Sequence, residues 1–184
     1  MSIPIGILTP EGLRAADYSA DSLAAAAAFE PEGVYTVTRT FNRDHVLMLD
    51  EHLDRLEESA QLEGIPLRLD RVALRAGLRA LIDRGGYAES RFRITVPRST
   101  PDQLYLSVEP FTPISPEVIQ QGVRVATVPL ARHNPSAKTT AWITARQAAA
   151  LPQGTYEGVL ISPEGFLLEG TSSNFYVVLN GELR

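Results

Sequence analysis

Val34-Tyr-Thr-Val-Thr-Arg-Thr-Phe41 decides the fold, because β-branched and aromatic residues dominate this stretch and predict a β-strand. Asn42-Arg43-Asp44 follows with turn-forming residues, so we expect the chain to return as a second strand over residues 45–49. Apolar residues then recur at helical spacing in residues 49–60, which predicts a helix capped by Asp50. A hairpin followed by an amphipathic helix indicates an α+β domain with helices on one face of an antiparallel sheet.

The sequence on either side of this hairpin extends the same domain. We expect residues 1–20 to form a loose lead-in, and Asp21 or Ser22 to cap a short helix. Asp70 is expected to start a further helix, which Gly85-Gly86 stops. The other elements predicted in this half are the short helix over residues 23–29 and two strands over residues 91–96 and 103–108.

A proline-rich stretch separates the two halves of the chain. Three prolines fall within residues 110–117, where we expect neither a helix nor an inner strand. We therefore predict a small N-terminal α/β sandwich domain over residues 1–109 and part of a second, mainly β, cofactor-binding domain over residues 118–184. Asn180-Gly181 predicts a hairpin turn with only three residues after it, so we expect the second domain to be incomplete. The elements predicted there are strands over residues 123–130, 158–162, 166–168 and 175–179, and a helix over residues 139–150.

The composition excludes several functional classes. A net charge of −5 and a pI near 5.2 argue against nucleic acid or an anionic membrane surface as a partner. The absence of cysteine excludes disulfides, cysteine zinc sites and thiol nucleophiles, and the three histidines lack the spacing of metal ligands. The N-terminus has no signal-peptide pattern, so we expect a soluble, cytoplasmic protein.

Lys138 is the only lysine in the sequence, since 17 Lys+Arg minus 16 arginines leaves one. An arginine keeps its proton at any accessible pH, whereas a lysine amine can lose it and condense with a carbonyl. A single lysine in an arginine-rich chain is therefore a candidate for a Schiff base. The alternative is an ordinary solvated lysine at the start of a helix.

Four stretches stand out together by their order and spacing. They are residues 33–40, Glu51-His-Leu-Asp-Arg-Leu56, the lysine stretch at residues 134–142, and Glu169-Gly-Thr-Ser-Ser-Asn-Phe175. This arrangement resembles the fold type IV pyridoxal-phosphate enzymes, the family of branched-chain and D-amino acid aminotransferases and aminodeoxychorismate lyase. The resemblance runs from about residue 33 to residue 184. It implies an enzyme that uses pyridoxal 5'-phosphate to move an amino group between an amino acid and a 2-oxo acid.

The resemblance also implies which residues hold the cofactor. Lys138 would form the Schiff base and move the substrate proton, and Glu169 would keep the pyridine nitrogen protonated. Arg55 would bind the phosphate, because its bidentate fork suits a phosphate dianion. The hydroxyl residues that follow Glu169 would complete the cofactor site: Thr171, Ser172 and Ser173.

Ordinary structural roles are open for two of these residues. Glu51 and Glu58 stand at helical spacing from Arg55, so the arginine could instead belong to a surface ion pair. Glu169 beside Gly170 could be a surface glutamate next to a turn.

Three residues are candidates for substrate binding. Tyr35 stands where the family often has an aromatic hydroxyl facing the active site. Arg98 resembles the carboxylate-binding arginine of the D-amino acid enzymes, and Arg93 resembles that of the branched-chain enzymes. One departure is Trp142, where many members carry a tyrosine, and an indole can only donate a hydrogen bond.

The resemblance leaves several functional alternatives open. An aminodeoxychorismate lyase-like enzyme would use the same cofactor residues. The family continues past residue 184 with a segment that completes the phosphate site, so the chain could also be an inactive or split-enzyme fragment that needs a separate chain. The resemblance further implies a homodimer.

Overall fold

The computed structural model describes residues 1–130 and 136–184, which divide into two compact units. The first unit contains residues 1–112 together with residues 136–143, and the second contains residues 113–130 and 144–184. The segment around Lys138 thus clusters with the first unit, whereas the domain boundaries predicted from the sequence place it in the second. The reason is that residues 138–140 form hydrogen bonds with residues 33–35. The predicted boundary depended on the positions of prolines, which give no sign of these hydrogen bonds.

The first unit is a two-layer α/β sandwich around an antiparallel six-stranded sheet, which confirms the predicted fold class. Its strands are β1 (Ile5–Thr9), β2 (Gly12–Ala15), β3 (Gly33–Phe41), β4 (His45–Val46), β5 (Ser90–Pro97) and β6 (Leu104–Pro110). They lie in the order β2-β1-β6-β5-β3-β4. Its helices are α1 (Leu23–Ala26), α2 (Leu49–Leu62) and α3 (Arg71–Gly85).

The main hydrophobic core lies between the sheet and helices α2 and α3. Alternate residues of β5 point into it, because successive side chains of a strand face opposite sides. Its largest fully buried side chains include Leu53, Leu56, Leu74, Leu81, Phe92, Ile94 and Leu106. A smaller cluster on the opposite face of the sheet joins α1 to the first residues of the chain.

The expectation of a loose lead-in over residues 1–20 was wrong. Strand β1 lies inside the sheet, pairing with β6 through Ile5 and Ser107 and with β2 on its other side. Leu8 faces the main core, whereas Ile3 and Ile5 contribute to the smaller cluster. One partner of this five-residue strand, β6, lies far away in the sequence, so local pattern gives little sign of β1.

Two of the predicted helix caps are confirmed and one is wrong. The side chain of Ser22 accepts a hydrogen bond from the Ala25 N–H at the start of α1, and Asp70 caps α3. Helix α2 instead begins after Met48, whose φ of 53° is in the left-handed region. Asp50 lies within the first turn, where the positive end of the helix dipole stabilises a carboxylate.

The second unit is mainly β, as predicted. It contains α4 (Pro116–Gln121), β7 (Val125–Val128), β8 (Glu157–Ile161), β9 (Leu167–Gly170), β10 (Val178–Leu179) and β11 (Glu182–Leu183). Strand β8 pairs in parallel with β7 and antiparallel with β9. Asn180 and Gly181 both have positive φ and form the predicted hairpin turn between β10 and β11.

Helix α4 occupies part of the proline-rich stretch where no helix was expected. Pro116 is tolerated because it stands in the first turn, where its missing N–H would have no helical partner. Helix α5 (Thr140–Ala148) follows the lysine. Among the described residues, no helix is long and apolar enough to cross a membrane.

Candidate active site

The main chain around Lys138 is fixed to the start of strand β3. The carbonyl oxygen of Lys138 accepts a hydrogen bond of 2.9 Å from the Tyr35 N–H, and Thr139 forms an antiparallel bridge with Val34. The Thr140 hydroxyl accepts from the Gly33 N–H at 2.9 Å and donates to the Gly33 carbonyl at 3.3 Å. Lys138 therefore lies just before α5, at the junction of loop and helix that the sequence predicted.

Strand pairing explains why this edge of β3 is available. Strand β5 pairs with one edge of β3 from Gly33 to Arg39, whereas β4 pairs with the other edge only at Thr40 and Phe41. The N-terminal part of that second edge therefore keeps backbone groups that need partners, and residues 138–140 supply them. Asn134 and Pro135 of the predicted lysine stretch lie outside the described residues.

Ser59 joins the lysine to helix α2. Its hydroxyl accepts a 3.3 Å hydrogen bond from the Lys138 N–H and donates one of 2.7 Å to the carbonyl oxygen of Arg55. Ser59 is not among the site residues predicted from the sequence. The signal that could have found it is its position one turn after Arg55, because a serine inside a helix often bonds to the carbonyl four residues earlier.

Arg55 projects from the same side of α2 as Ser59, and its side chain is exposed. We call the surface formed by His52, Arg55 and Ser59 the helical strip. Among the described residues, no ion pair joins it to Glu51, Glu58 or any other carboxylate. The structure therefore does not form the surface pair that was the alternative role for this arginine. Within that part of the chain, its fork is not committed to an internal anion.

His52 completes this strip, with its Nδ1 3.5 Å from Arg55 Nη2 and 3.5 Å from the Thr36 hydroxyl. Burial lowers the pKa of His52 below its ordinary value, and the positive charges of Arg55 and Lys138 lower it further. The lowered pKa favours the neutral imidazole at pH 7, and the positive charge of Arg55 makes this part of α2 favourable for an anion.

Arg93 lies on the sheet face opposite helices α2 and α3, and it is already paired. Its Nη2 and Nε donate to the two carboxylate oxygens of Glu30 at 2.6 and 2.9 Å, and its Nη1 donates to the Leu23 carbonyl at 2.8 Å. The two side chains are only 4% and 1% exposed. Ser107 and Thr95 also donate to Glu30, so this is a buried, hydrogen-bonded ion pair.

Arg98 and Tyr35 differ in exposure. The Arg98 side chain is partly exposed and donates to the carboxylate of Glu63 at 2.9 Å and to its main-chain carbonyl at 2.6 Å. Tyr35 is buried, and strand alternation places its side chain on the same sheet face as Arg93.

The second unit contains the remaining predicted residues, at the end of β9 and in the bend that follows. Glu169 is half-buried in β9. The bend residues Thr171, Ser172 and Ser173 follow it. The Thr171 N–H bonds to the Gly158 carbonyl at 2.8 Å, and the Thr171 carbonyl accepts from Arg146 at 3.5 Å.

Glu157 organises this bend and was missed by sequence analysis. Its carboxylate accepts hydrogen bonds from the Ser172 N–H at 2.6 Å, the Ser172 hydroxyl at 2.9 Å and the Ser173 hydroxyl at 2.8 Å. Burial alone would raise the pKa of Glu157, but these hydrogen bonds outweigh it and lower the pKa below its usual value. A Cβ at Gly170 would lie 2.5 Å from the Ser173 hydroxyl, so the bend also requires glycine there.

Three relatives are similar over most of this chain. A Methanocaldococcus jannaschii protein provisionally named branched-chain-amino-acid aminotransferase is 27% identical in an alignment 173 positions long, which covers 83% of this chain and 58% of that protein. The chloroplastic D-amino-acid transaminase of Arabidopsis thaliana is 25% identical over 81% of this chain and 43% of its own length. The branched-chain-amino-acid aminotransferase of Pseudomonas aeruginosa is 22% identical over 81% of this chain and 56% of its own length. The chain thus spans about half the length of these relatives.

Solved structures share the fold. A fold IV transaminase from Curtobacterium pusillum superposes with a TM-score of 0.71 at 22% identity, covering 97% of this chain and 71% of that one. A Mycobacterium tuberculosis protein described as a hypothetical aminotransferase, solved with α-ketoglutarate and pyridoxamine phosphate bound, gives a TM-score of 0.68 at 23% identity, covering 97% and 69%.

The family model described as amino-transferase class IV matches residues 33–184, which begin at strand β3 and include every predicted site residue. The chain therefore belongs to the class IV aminotransferase family.

Proposed function

We propose that this chain carries the cofactor and substrate residues of a pyridoxal-phosphate-dependent aminotransferase, with Lys138 as the catalytic residue. The observation that carries the proposal is the fixed main chain of Lys138 beside the helical strip that contains Arg55. The named relatives support it, because their names describe amino-group transfer.

The residues of the first unit fit the chemical demands of the cofactor. Pyridoxal 5'-phosphate, when bound, supplies an aldehyde that accepts an amino group and a ring that withdraws electrons from the substrate Cα. Lys138 is the primary amine that would hold the aldehyde. Arg55 would hold the phosphate, since it lacks a described carboxylate partner and lies next to a neutral His52.

The residues of the second unit would play different parts. Glu169 would face the pyridine nitrogen and keep it protonated. The hydroxyl protons of Ser172 and Ser173 already point to Glu157, so these residues would offer a phosphate fewer donors than their number suggests. We therefore assign the main phosphate contact to Arg55, with the bend from Thr171 to Ser173 in a supporting role.

The Nζ of Lys138 would also act as the general acid–base that moves a proton between the substrate Cα and the aldehyde-derived carbon of the cofactor. The hydrogen bonds of the Lys138 N–H and of the Lys138 carbonyl lie on either side of its Cα, and they would hold the Cα in place during the proton transfer.

The substrates would be an amino acid and a 2-oxo acid. Of the two arginines proposed for the substrate carboxylate, Arg98 is the more accessible, whereas the fork of Arg93 is held by Glu30. Tyr35 would contact the substrate through its side chain. Its N–H has a separate role, because it holds the carbonyl of Lys138. The names of the relatives include both branched-chain and D-amino acid enzymes, so D and L donors should both be screened.

A spectrum tests the cofactor assignment. Pyridoxal phosphate added to the chain should produce an absorbance band in the near-visible, and Lys138→Arg, which preserves the charge, should abolish it. A band of equal strength in Lys138→Arg would rule out the assignment.

We also propose that the chain forms a homodimer, which the family resemblance supports, and that it acts in the cytoplasm. Analytical ultracentrifugation with and without pyridoxal phosphate tests the assembly, and a monomer under both conditions would contradict it.

A further inference from the structure

Ser59 is a buried hydroxyl whose hydrogen bonds are both directed at the site. The residue is 4% exposed and stands one helical turn after Arg55. The hydroxyl donates its only proton to the Arg55 carbonyl oxygen, 2.7 Å away. A lone pair of the same oxygen therefore accepts the hydrogen bond from the Lys138 N–H, whose nitrogen is 3.3 Å away. The orientation of the hydroxyl is therefore determined by the helix.

This arrangement connects two groups that lie far apart in the sequence. Arg55 and Lys138 belong to different segments, yet a single side chain bonds to the main chain of both. On the other side of the Lys138 Cα, the Tyr35 N–H holds the Lys138 carbonyl to the sheet. Without the Ser59 hydroxyl, the Lys138 carbonyl would keep its hydrogen bond to β3, but the Lys138 N–H would lose its hydrogen bond to α2.

We propose that Ser59 is a positioning residue that sets the placement of the Lys138 amine relative to the Arg55 guanidinium. This role rests on the proposed function, in which one ligand carries both an aldehyde for Lys138 and a phosphate for Arg55. The phosphate increases the affinity of such a ligand only if the Lys138 amine and the Arg55 guanidinium are held at the separation that matches the ligand.

Three substitutions and one control separate positioning from packing. Ser59→Ala removes the hydroxyl, Ser59→Thr retains it, and Ser59→Cys preserves the size with weaker hydrogen bonding. Ser90→Ala is the matched control, because Ser90 is also buried but its hydroxyl has no hydrogen-bond partner among the described residues.

The first measurement is hydrogen–deuterium exchange of the full chain without cofactor. The Lys138 amide should exchange about tenfold faster in Ser59→Ala, which corresponds to one lost hydrogen bond. Ser59→Thr and Ser90→Ala should retain the protection. An unchanged Lys138 amide in Ser59→Ala would overturn the proposal whatever the cofactor does.

The second measurement compares pyridoxal phosphate with pyridoxal, which lacks the phosphate, in the rate of borohydride-trapped labelling of Lys138. The unsubstituted chain should favour pyridoxal phosphate, and Ser59→Ala should reduce that preference about five- to tenfold while Ser59→Thr restores it. If Ser59→Ala does not fold, Ser59→Cys should show a smaller reduction in the same direction.

The two failures are distinguishable. Equal labelling by both aldehydes in the unsubstituted chain would overturn the proposed function and the role of Ser59 with it. A preference in the unsubstituted chain that persists in Ser59→Ala and Ser59→Cys would overturn only the role of Ser59.

Discussion

At the scale of single residues, the first unit joins the main chain of Lys138 to helix α2 and places the Arg55 guanidinium next to the His52 imidazole. Lys138 was nominated because it is the only lysine in the sequence, and Arg55 because the family resemblance implies a phosphate-binding arginine at its position. Ser59 and Glu157 escaped nomination, since a serine and a glutamate are common and their importance comes from hydrogen-bond partners that only the fold provides. Sequence can therefore nominate candidate reactive groups by residue type and resemblance, whereas the groups that orient them emerge only from the folded structure.

His52 should make the stability of the first unit depend on pH. Its pKa is lowered in the folded state, so between that lowered value and 6.5 the unfolded chain binds more protons than the folded chain. Stability should therefore fall as the pH drops below about 6.5. Urea unfolding from pH 7.5 to pH 5 should show a smaller decline in His52→Asn.

The control is His45→Asn, because His45 is an exposed imidazole in strand β4. This variant should retain the decline seen in the unsubstituted chain. Parallel curves for His52→Asn and the unsubstituted chain would show that the imidazole does not titrate as its surroundings indicate.

At the scale of secondary structure, elements with local signals were predicted and elements that depend on distant partners were not. Asp70 caps α3 as expected, because a capping carboxylate needs only the next three residues. Strand β1 was missed, since its pairing with β6 joins the two ends of the first unit. The attachment of residues 138–140 to β3 was missed for the same reason.

Asp70 should stabilise the first unit by about 1 kcal/mol, the usual value of an N-cap. Its carboxylate accepts hydrogen bonds from the Val72 and Ala73 N–H groups at 3.0 and 2.9 Å. Thermal and urea unfolding of Asp70→Ala should show this loss, whereas Asp70→Ser should retain most of the stability. Equal losses in both variants would mean that the carboxylate acts in some way other than capping.

At the scale of the whole molecule, the first unit buries an ion pair inside its fold. Glu30 and Arg93 satisfy each other, and Thr95, Ser107 and the Leu23 carbonyl satisfy their remaining groups. Removing one partner leaves the other charge buried without compensation, which typically costs about 3–5 kcal/mol. Arg93 therefore has a structural part to play in addition to any contact with substrate.

Urea unfolding of Arg93→Met should show a loss of about 3–5 kcal/mol, and the double variant Glu30→Gln with Arg93→Met should recover part of it. Arg98→Met, at a partly exposed position, should cost less than about 1 kcal/mol. If Arg93→Met unfolds like the unsubstituted chain but binds amino acids more weakly, the main role of Arg93 is substrate binding.

The most direct test of the central claim is to map where pyridoxal phosphate attaches. The chain has two primary amines, the N-terminus and Lys138, because it contains no other lysine. After reduction with borohydride and proteolysis, mass spectrometry should find the modification on the peptide that contains Lys138, at substoichiometric cofactor and neutral pH. Modification confined to the N-terminal peptide, or divided equally between the two amines, would contradict the account.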